Sequence, residues 1–216
     1  MQTLWSRPIA VPLLAAACAL GCRADTETRA SSSSAEPALA PAAVPKAADP
    51  ATVKILSLDP AASRFDFEAA KITRTHRGSF KQFSGSATLV GGALQAVTVE
   101  VETPSLEADE PKLAAHMKTA DFLDVEKFPK ATFKSSSIVE KPSGAYTHEI
   151  AGALTLHGIT ENVTFPATVN VTPASVSGSG EVRIDRKKFG VVYPGLPDDL
   201  IKDEVVLKPS FVFTRK

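Results

Sequence analysis

The chain has very little cysteine and no excess of charge of either sign. Its only two cysteines, Cys18 and Cys22, lie near the N-terminus. The rest of the chain therefore has no disulfide framework, no CxxC redox pair and no cysteine zinc site. The 24 basic side chains are balanced by 24 acidic ones. This balance argues against a nucleic-acid-binding protein, which usually carries a basic excess.

Sequence motifs of catalysis are also missing. The four histidines, His76, His116, His148 and His157, do not have the spacing of a HExxH metal site. The chain has no GxSxG nucleophile motif, no GxxxxGK[ST] phosphate loop and no GxGxxG motif. We therefore expect no enzymatic reaction and no resident cofactor. The remaining catalytic alternative is a metal-assisted hydrolase whose histidines come together only in the fold.

The longest apolar run lies at the N-terminus and is short. Residues 9–20 are uncharged and follow Arg7, a pattern typical of an export signal and too short to span a bilayer. The run ends in Ala-Leu-Gly before Cys22, which resembles the bacterial lipoprotein box. We expect residues 1–22 to be a lipoprotein-type signal peptide with Cys22 as the lipidated residue. The alternative is an ordinary secretory signal with incidental cysteines.

The next segment is of low complexity. Residues 23–52 contain ten Ala, four Ser and four Pro, and no aromatic residue. Such a composition predicts a disordered linker. Arg23, rather than Asp, follows the candidate lipidation site, which favours retention at the outer membrane. The sequence thus predicts an exported protein on the periplasmic side of the cell envelope, lipid-anchored to the outer membrane.

Strand-like alternation begins after the linker. All eleven Phe lie between Phe65 and Phe213, which places the core in this part of the chain. Apolar and polar residues alternate with period two, the pattern of a half-buried strand, in residues 65–69, 97–102, 146–156, 163–172 and 205–213. Turn formers separate these runs, namely Gly91-Gly92, residues 142–144, His157-Gly158, and Pro173 with Gly178 and Gly180. About eight short strands with one apolar face predict an antiparallel barrel or sandwich.

One segment departs from the strand pattern. Between residues 105 and 125, Leu113, Met117 and Ala120 recur at helical spacing after an Asp-Glu-Pro helix start. We expect one or two short helices here, capping the mouth of a barrel.

Three segments carry a family resemblance. They read HMKTADFLDVEKFPKATF (residues 116–133), GALTLHGIT (152–160) and IDRKKFG (184–190). Over residues 53–216 the chain resembles the YceI-like family of bacterial exported lipid-binding proteins. The resemblance implies an all-β domain, an eight-stranded antiparallel lipocalin-like barrel. It also implies an apolar interior that holds a polyisoprenoid or similar long amphiphile such as a quinone or fatty acyl lipid.

Eight phenylalanines and one methionine of this domain are the candidate ligand-lining set. The set comprises Phe80, Phe83, Met117, Phe122, Phe128, Phe133, Phe165, Phe189 and Phe211. The alternative for each is ordinary core packing. Two basic clusters, Arg74 with His76 and Arg77, and Arg186 with its lysine neighbours, are candidates for holding a polar head group. The alternative for these is a solvated strand end.

Two functional hypotheses follow. In the first, the barrel binds or carries an apolar lipid and contacts the membrane through its N-terminal anchor. In the second, a structural or protein-interaction barrel has a filled core and no ligand. The first requires an internal cavity and the second a closed core. The sequence specifies no oligomeric state.

Overall fold

The computed structural model describes residues 52–215. The predicted signal peptide, with Cys22, and residues 23–51 of the predicted linker lie outside the described residues. The thirteen strands of residues 52–215 are β1 (Val53–Leu58), β2 (Arg64–Lys71), β3 (Thr75–Phe80), β4 (Phe83–Val90), β5 (Ala93–Glu102), β6 (Leu106–Ala108), β7 (Lys130–Ser143), β8 (Tyr146–Leu156), β9 (Ile159–Val171), β10 (Ser175–Gly180), β11 (Val182–Asp185), β12 (Gly195–Leu196) and β13 (Asp199–Thr214). The same residues form the α-helix α1 (Pro111–Met117) and three 3₁₀ helices (Pro60–Ala62, Thr103–Ser105 and Arg186–Phe189). No helix within them is long and apolar enough to cross a membrane.

These strands build a closed barrel. Consecutive segments continue one another across a kink or bulge, so that β1–β2, β3–β4, β5–β6 and β10–β11 each form one barrel strand. With β7, β8, β9 and β13 this makes eight barrel strands, each antiparallel to the next along the chain. The ring closes where Phe213 of β13 pairs with Leu58 of β1 and Leu207 pairs with Phe67 of β2. A closed ring leaves no edge strand, and the eight-stranded antiparallel barrel is confirmed over the sandwich.

The kinks retain their hydrogen bonds. At the break between β3 and β4, the Ser105 hydroxyl accepts from the Lys81 N–H at 3.1 Å and the Gln82 N–H at 3.0 Å. The same hydroxyl donates to the Glu102 carbonyl at 2.6 Å. A single side chain thus accepts from both amides at the kink, and the Lys81 N–H also donates to the Ser105 carbonyl at 3.2 Å.

The period-two alternation sets the inner face. In β9, Phe165, Ala167 and Val169 are buried, whereas the residues between them are exposed. The predicted turn at His157-Gly158 is present, with positive φ at both residues (51° and 75°), as a two-residue hairpin turn requires. The expected turn role of Gly178 and Gly180 is wrong, because both lie within β10.

The barrel has two unlike ends. At one, which we call the hairpin end, the strands are joined by short turns at residues 91–92, 144–145 and 172–174. At the other, which we call the covered end, the connections are residues 72–74, 109–129, 157–158 and 186–198. Both long connections therefore lie at the same end of the barrel.

The helical prediction is correct only in part. The helix begins at Pro111, as the Asp-Glu-Pro pattern predicts, because proline suits the first helical position. It ends at Met117 after seven residues. Residues 103–105 form a 3₁₀ turn, and Leu106 to Ala108 form strand β6 instead of helix. The pairing of β6 with β3 overrides the local helical spacing.

Candidate functional site

A cavity of about 210 Å³ lies inside the barrel. Its wall is hydrocarbon almost throughout. The aromatic wall residues are Phe65, Phe67, Phe80, Phe122, Phe133, Phe165, Phe211 and Phe213, and aliphatic ones include Val97, Val99, Val101, Leu154, Leu156, Val163, Val205 and Leu207. An engineered apolar cavity of about 150 Å³ in another protein stays dry and binds benzene. The space here is therefore large enough for an apolar group of at least that size.

Six of the nine predicted lining residues lie on this wall. They are Phe80, Met117, Phe122, Phe133, Phe165 and Phe211. They come from four barrel strands and from the connection at residues 109–129. The fold therefore brings together aromatic residues that are up to 131 positions apart, from Phe80 to Phe211.

The other three predicted lining residues pack elsewhere. Phe83 is buried at the start of β4, where its ring lies 5.5 Å from that of Phe211. Phe128 packs edge-on against His157, with ring centroids 4.8 Å apart. Phe189 is buried, and its carbonyl accepts a hydrogen bond from Nδ1 of His157 at 3.0 Å. Phe128 and Phe189 thus hold the connections of the covered end together.

The predicted lining set omitted the glycines of the wall and its aliphatic residues, although the latter lie on the predicted apolar faces. Gly178 lies on the wall, and a Cβ added there would meet no atom closer than 3.8 Å. At Gly78 and Gly152 a Cβ would instead approach the Phe67 and Phe133 rings within 2.4 and 2.6 Å. These two rings lie over glycines of the adjacent strand, which keeps them against the wall.

Aromatic contacts join the two long connections over the covered end. Phe122, from residues 109–129, packs on Tyr193, from residues 186–198, with ring centroids 5.2 Å apart. His116 completes the group, 5.0 Å from Phe122 and 5.2 Å from Tyr193. Its Nε2 lies 2.8 Å from a carboxylate oxygen of Asp121. Because Phe122 also lies on the cavity wall, this group helps to close the cavity at the covered end. We call the two long connections, residues 109–129 and 186–198, the cover.

Arg186 is the one charged side chain on the wall, and it is buried. Its guanidinium donates to the carbonyls of Val191 at 2.7 Å and Tyr193 at 2.9 Å. It also donates to the carbonyls of Ile201 and Lys202 and reaches the Asp203 carboxylate at 3.4 Å. Its donors are therefore used to fasten residues 186–198 to the start of β13.

The other predicted head-group residues are not brought together with Arg186. Arg74 forms an ion pair with Glu110, at the start of α1. His76 is buried, and its Nδ1 lies 3.0 Å from Oδ1 of Asp109. Arg77 is exposed and donates to Glu68 at 2.9 Å.

The carboxylate facing His76 titrates below its usual range. Burial acts to raise the pKa of Asp109, but the hydrogen bond and charge of His76 and the charge of Arg74 outweigh it. The pKa of this carboxyl therefore lies below its ordinary value of 3.8. The pair fixes the N-terminal side of α1 to β3. Among residues 52–215, no three His, Cys, Asp or Glu side chains are grouped so as to hold a metal ion.

Comparisons with known proteins agree with this architecture. The sequence profile of the YceI-like domain matches residues 56–213. The crystal structure of Burkholderia cenocepacia BcnA is similar, with a TM-score of 0.62 and 26% identity over 72% of this chain and 98% of that one. A polyisoprenoid binding domain from Saccharophagus degradans, implicated in plant cell wall breakdown, has a TM-score of 0.58 at 13% identity, over 74% of this chain and 98% of that one. At that identity the second likeness concerns the fold alone.

Curated relatives match over shorter segments. A UPF0312 protein of Pseudomonas putida is 41% identical over 95 residues, which are 43% of this chain and 48% of the relative. A UPF0312 protein of Vibrio cholerae is 32% identical over 127 residues, 55% of this chain and 66% of the relative. The chain thus spans about half of the first relative's length and just under two thirds of the second's.

Proposed function

This chain belongs to the YceI-like domain family, and from that premise we propose that its barrel binds an apolar lipid in the central cavity. The cavity, with its hydrocarbon wall, is the observation that carries the proposal. A filled structural barrel would have no such space. Binding and release of the ligand, without a chemical step, are the whole of the proposed activity.

The chemistry of the wall favours a ligand with a long hydrocarbon part. Burial of each methylene contributes about 0.8 kcal/mol, so affinity grows with the length of chain enclosed and needs no polar motif. A polyisoprenoid, a quinone tail and a fatty acyl chain all meet this requirement. We place the isoprenoid first, because a barrel of the same fold is described as a polyisoprenoid binding domain.

The decisive measurement identifies the resident ligand. The protein is purified from its native envelope, and native mass spectrometry is combined with organic extraction. We expect a stoichiometric apolar lipid. An empty protein that also fails to bind a hydrophobic dye would contradict the proposal.

A cavity-filling variant tests the site itself. Gly178→Leu adds a side chain that projects into the cavity without a close contact at Cβ. About four added carbons displace about four ligand methylenes, about 3 kcal/mol, which is roughly a hundredfold in Kd. Ser177→Leu adds the same side chain on the outward face of the same strand and serves as the control. Equal retention of lipid by both folded variants would exclude the cavity as the binding site.

We also propose that the protein acts on the periplasmic side of the envelope, held to the outer membrane by lipid on Cys22. The support is the lipoprotein-like segment of the sequence. Cys22→Ser should release the protein from the membrane fraction into the soluble periplasm, as measured by fractionation. Cys18→Ser is the control and should leave it attached. Continued membrane attachment of the Cys22 variant would contradict the anchor.

A further inference from the structure

Exposed aliphatic side chains are concentrated at the covered end. Ile72, Val192, Leu196 and Leu200 have between 45% and 64% of their surface exposed. We call these four residues the hydrophobic tip. Single exposed aliphatic residues are ordinary on a protein surface, but grouped ones mark an interaction site.

Backbone hydrogen bonds hold the tip together. β12 and the start of β13 form a hairpin in which Leu196 pairs with Asp199 and Gly195 pairs with Leu200. The N–H of Ile72 donates to the Leu200 carbonyl at 3.1 Å. Ile72 and Leu200 are therefore neighbours on adjacent chain segments, and Leu196 lies on the other face of the same hairpin, so that the tip includes both faces of this hairpin.

A side-chain clamp fastens residues 71–73 to the start of β13. The Asp199 carboxylate accepts from the Thr73 N–H at 3.3 Å and its hydroxyl at 2.9 Å. Lys71 lies 3.5 Å from the same carboxylate. The aliphatic side chains are thus presented on a braced hairpin.

The tip is the outer side of the cavity cover. Val191 and Ile201, which lie next to Val192 and Leu200 in the sequence, are on the cavity wall. Tyr193, between these segments, packs on the wall residue Phe122. The exposed aliphatic surface is therefore continuous through the cover with the proposed binding site.

We propose that the hydrophobic tip docks on the surface of a phospholipid bilayer. The inference rests on the proposed function in one respect: an apolar ligand has negligible solubility in water and has to pass between a membrane and the cavity. Docking of the tip would place the cover of the cavity against the layer that holds the ligand.

The chemistry of the tip favours a bilayer over a protein partner. Binding hot spots of protein interfaces are rich in Trp, Tyr and Arg and poor in Leu and Val, whereas the tip is wholly aliphatic. Pro194 and Pro197 flank Leu196 and have no N–H to desolvate. The Pro194 carbonyl accepts from the N–H of Ile201 at 2.9 Å. Such a turn enters an apolar interface with fewer unpaired backbone groups than an open loop.

Besides the exposed Asp198, the flanking residues include side chains that suit the polar layer of a membrane. Lys202 is exposed and shares the outward face of β13 with Leu200, two residues apart. Lys188 is exposed at the other side of residues 186–198. Tyr193 is half-buried beside them. Lysine and tyrosine are residue types that bind at the level of lipid head groups.

A fluorescent label tests the docking directly. The full chain with Cys18→Ser and Cys22→Ser receives one new cysteine, either Leu196→Cys at the tip or Ala145→Cys at the hairpin end. Each is labelled with an environment-sensitive dye and mixed with phosphatidylcholine–phosphatidylglycerol vesicles that contain a lipid-borne quencher. We expect quenching at position 196 and none at position 145. Equal quenching at both positions, or none at position 196, would overturn the proposal.

Matched substitutions test which surface carries the binding. In the chain labelled at position 196, Val192→Ser with Leu200→Ser should weaken vesicle partition roughly tenfold. The control is Val53→Ser with Ile55→Ser, because these strand residues of β1 are 61% and 68% exposed but lie away from the covered end. The N-terminal segment is the same in every variant and cancels in the comparison. An equal loss in both pairs would overturn the assignment to the tip.

Failure of the proposed function is distinguishable from failure of docking. An empty barrel with a quenched label at position 196 would refute lipid binding and leave docking supported. A lipid-loaded barrel with an unquenched label would refute docking and leave lipid binding supported.

Discussion

Arg186 shows how one buried charge can organise a connection. Its guanidinium has hydrogen-bond acceptors near both ends of residues 191–203, and most of them are backbone carbonyls. A buried cation is tolerated only when its donors are satisfied. Here this requirement ties the chain over the covered end to the start of β13. Binding of a head group by Arg186 stays a prediction.

The loss of this residue should therefore destabilise the protein. Arg186→Met keeps an apolar stem of similar length but leaves several carbonyls without a donor, which should cost about 3 kcal/mol in the free energy of unfolding. Urea denaturation measures the effect. Arg183→Met removes an exposed arginine with ion pairs to Glu181 and Glu204 and should change stability little. Equal stability of the two variants would show that the Arg186 network is dispensable.

At the scale of elements, the cover is held by side chains from separate connections. Phe122 and Tyr193 join residues 109–129 to residues 186–198, and Asp199, the first residue of β13, accepts a hydrogen bond from Thr73. Burial acts to raise the pKa of Asp199, but the hydrogen bonds from Thr73 and the charge of Lys71 outweigh it. The pKa of this carboxyl is therefore lowered from its ordinary value of 3.8.

This lowered pKa predicts an acid-sensitive contact. Because the folded-state pKa lies below the unfolded one, the stabilisation is fully present above pH 3.8 and is lost as the pH falls through the folded-state value. Asp199→Asn should therefore be less stable at pH 7 and lose less stability on acidification than the wild type. Thermal unfolding between pH 7 and pH 2 measures both, with Asp198→Asn as the control. Parallel pH profiles for Asp199→Asn and the wild type would contradict the assignment.

At the scale of the whole molecule, closure of the barrel joins its first and last strands. Thr214 pairs with Ser57, and the N–H of Val212 donates to the Ser63 hydroxyl at 2.9 Å across 149 residues of sequence. Both ends of the described chain therefore lie at the hairpin end. The long connections, and with them the hydrophobic tip, lie at the opposite end.

This topology predicts that the barrel tolerates circular permutation. A Gly/Ser linker of about six residues would join residue 215 to residue 52, because the ends lie about four strand residues apart. New ends are opened between Gly91 and Gly92, a turn where a Cβ on Gly92 would meet no atom within 4 Å. We expect a folded barrel by circular dichroism with unchanged lipid content. A second permutant opened between Phe189 and Gly190, inside the cover, should lose lipid. Similar behaviour of the two would contradict an essential cover.

The sequence by itself determined five of the strands, their inner face and the turns at Gly91-Gly92 and His157-Gly158. These follow from local features, since side chains alternate across a strand and paired positive-φ residues suit a tight hairpin turn. The segments at residues 146–156 and 163–172 are strands β8 and β9, with the expected apolar residues facing inward. The motifs for the family likewise sufficed for the eight-stranded barrel.

Only the tertiary structure decided which inner residues border empty space. Phe83 and Phe165 are both buried aromatic residues on the inner face, yet one packs behind the wall and the other lines the cavity. The difference depends on the residues of neighbouring strands, such as Gly152 beneath the Phe133 ring. The same holds for Arg186, whose partners lie both in the connection 186–198 and at the start of β13. These features depend on packing between segments that are distant in the sequence, and local sequence patterns do not predict such contacts.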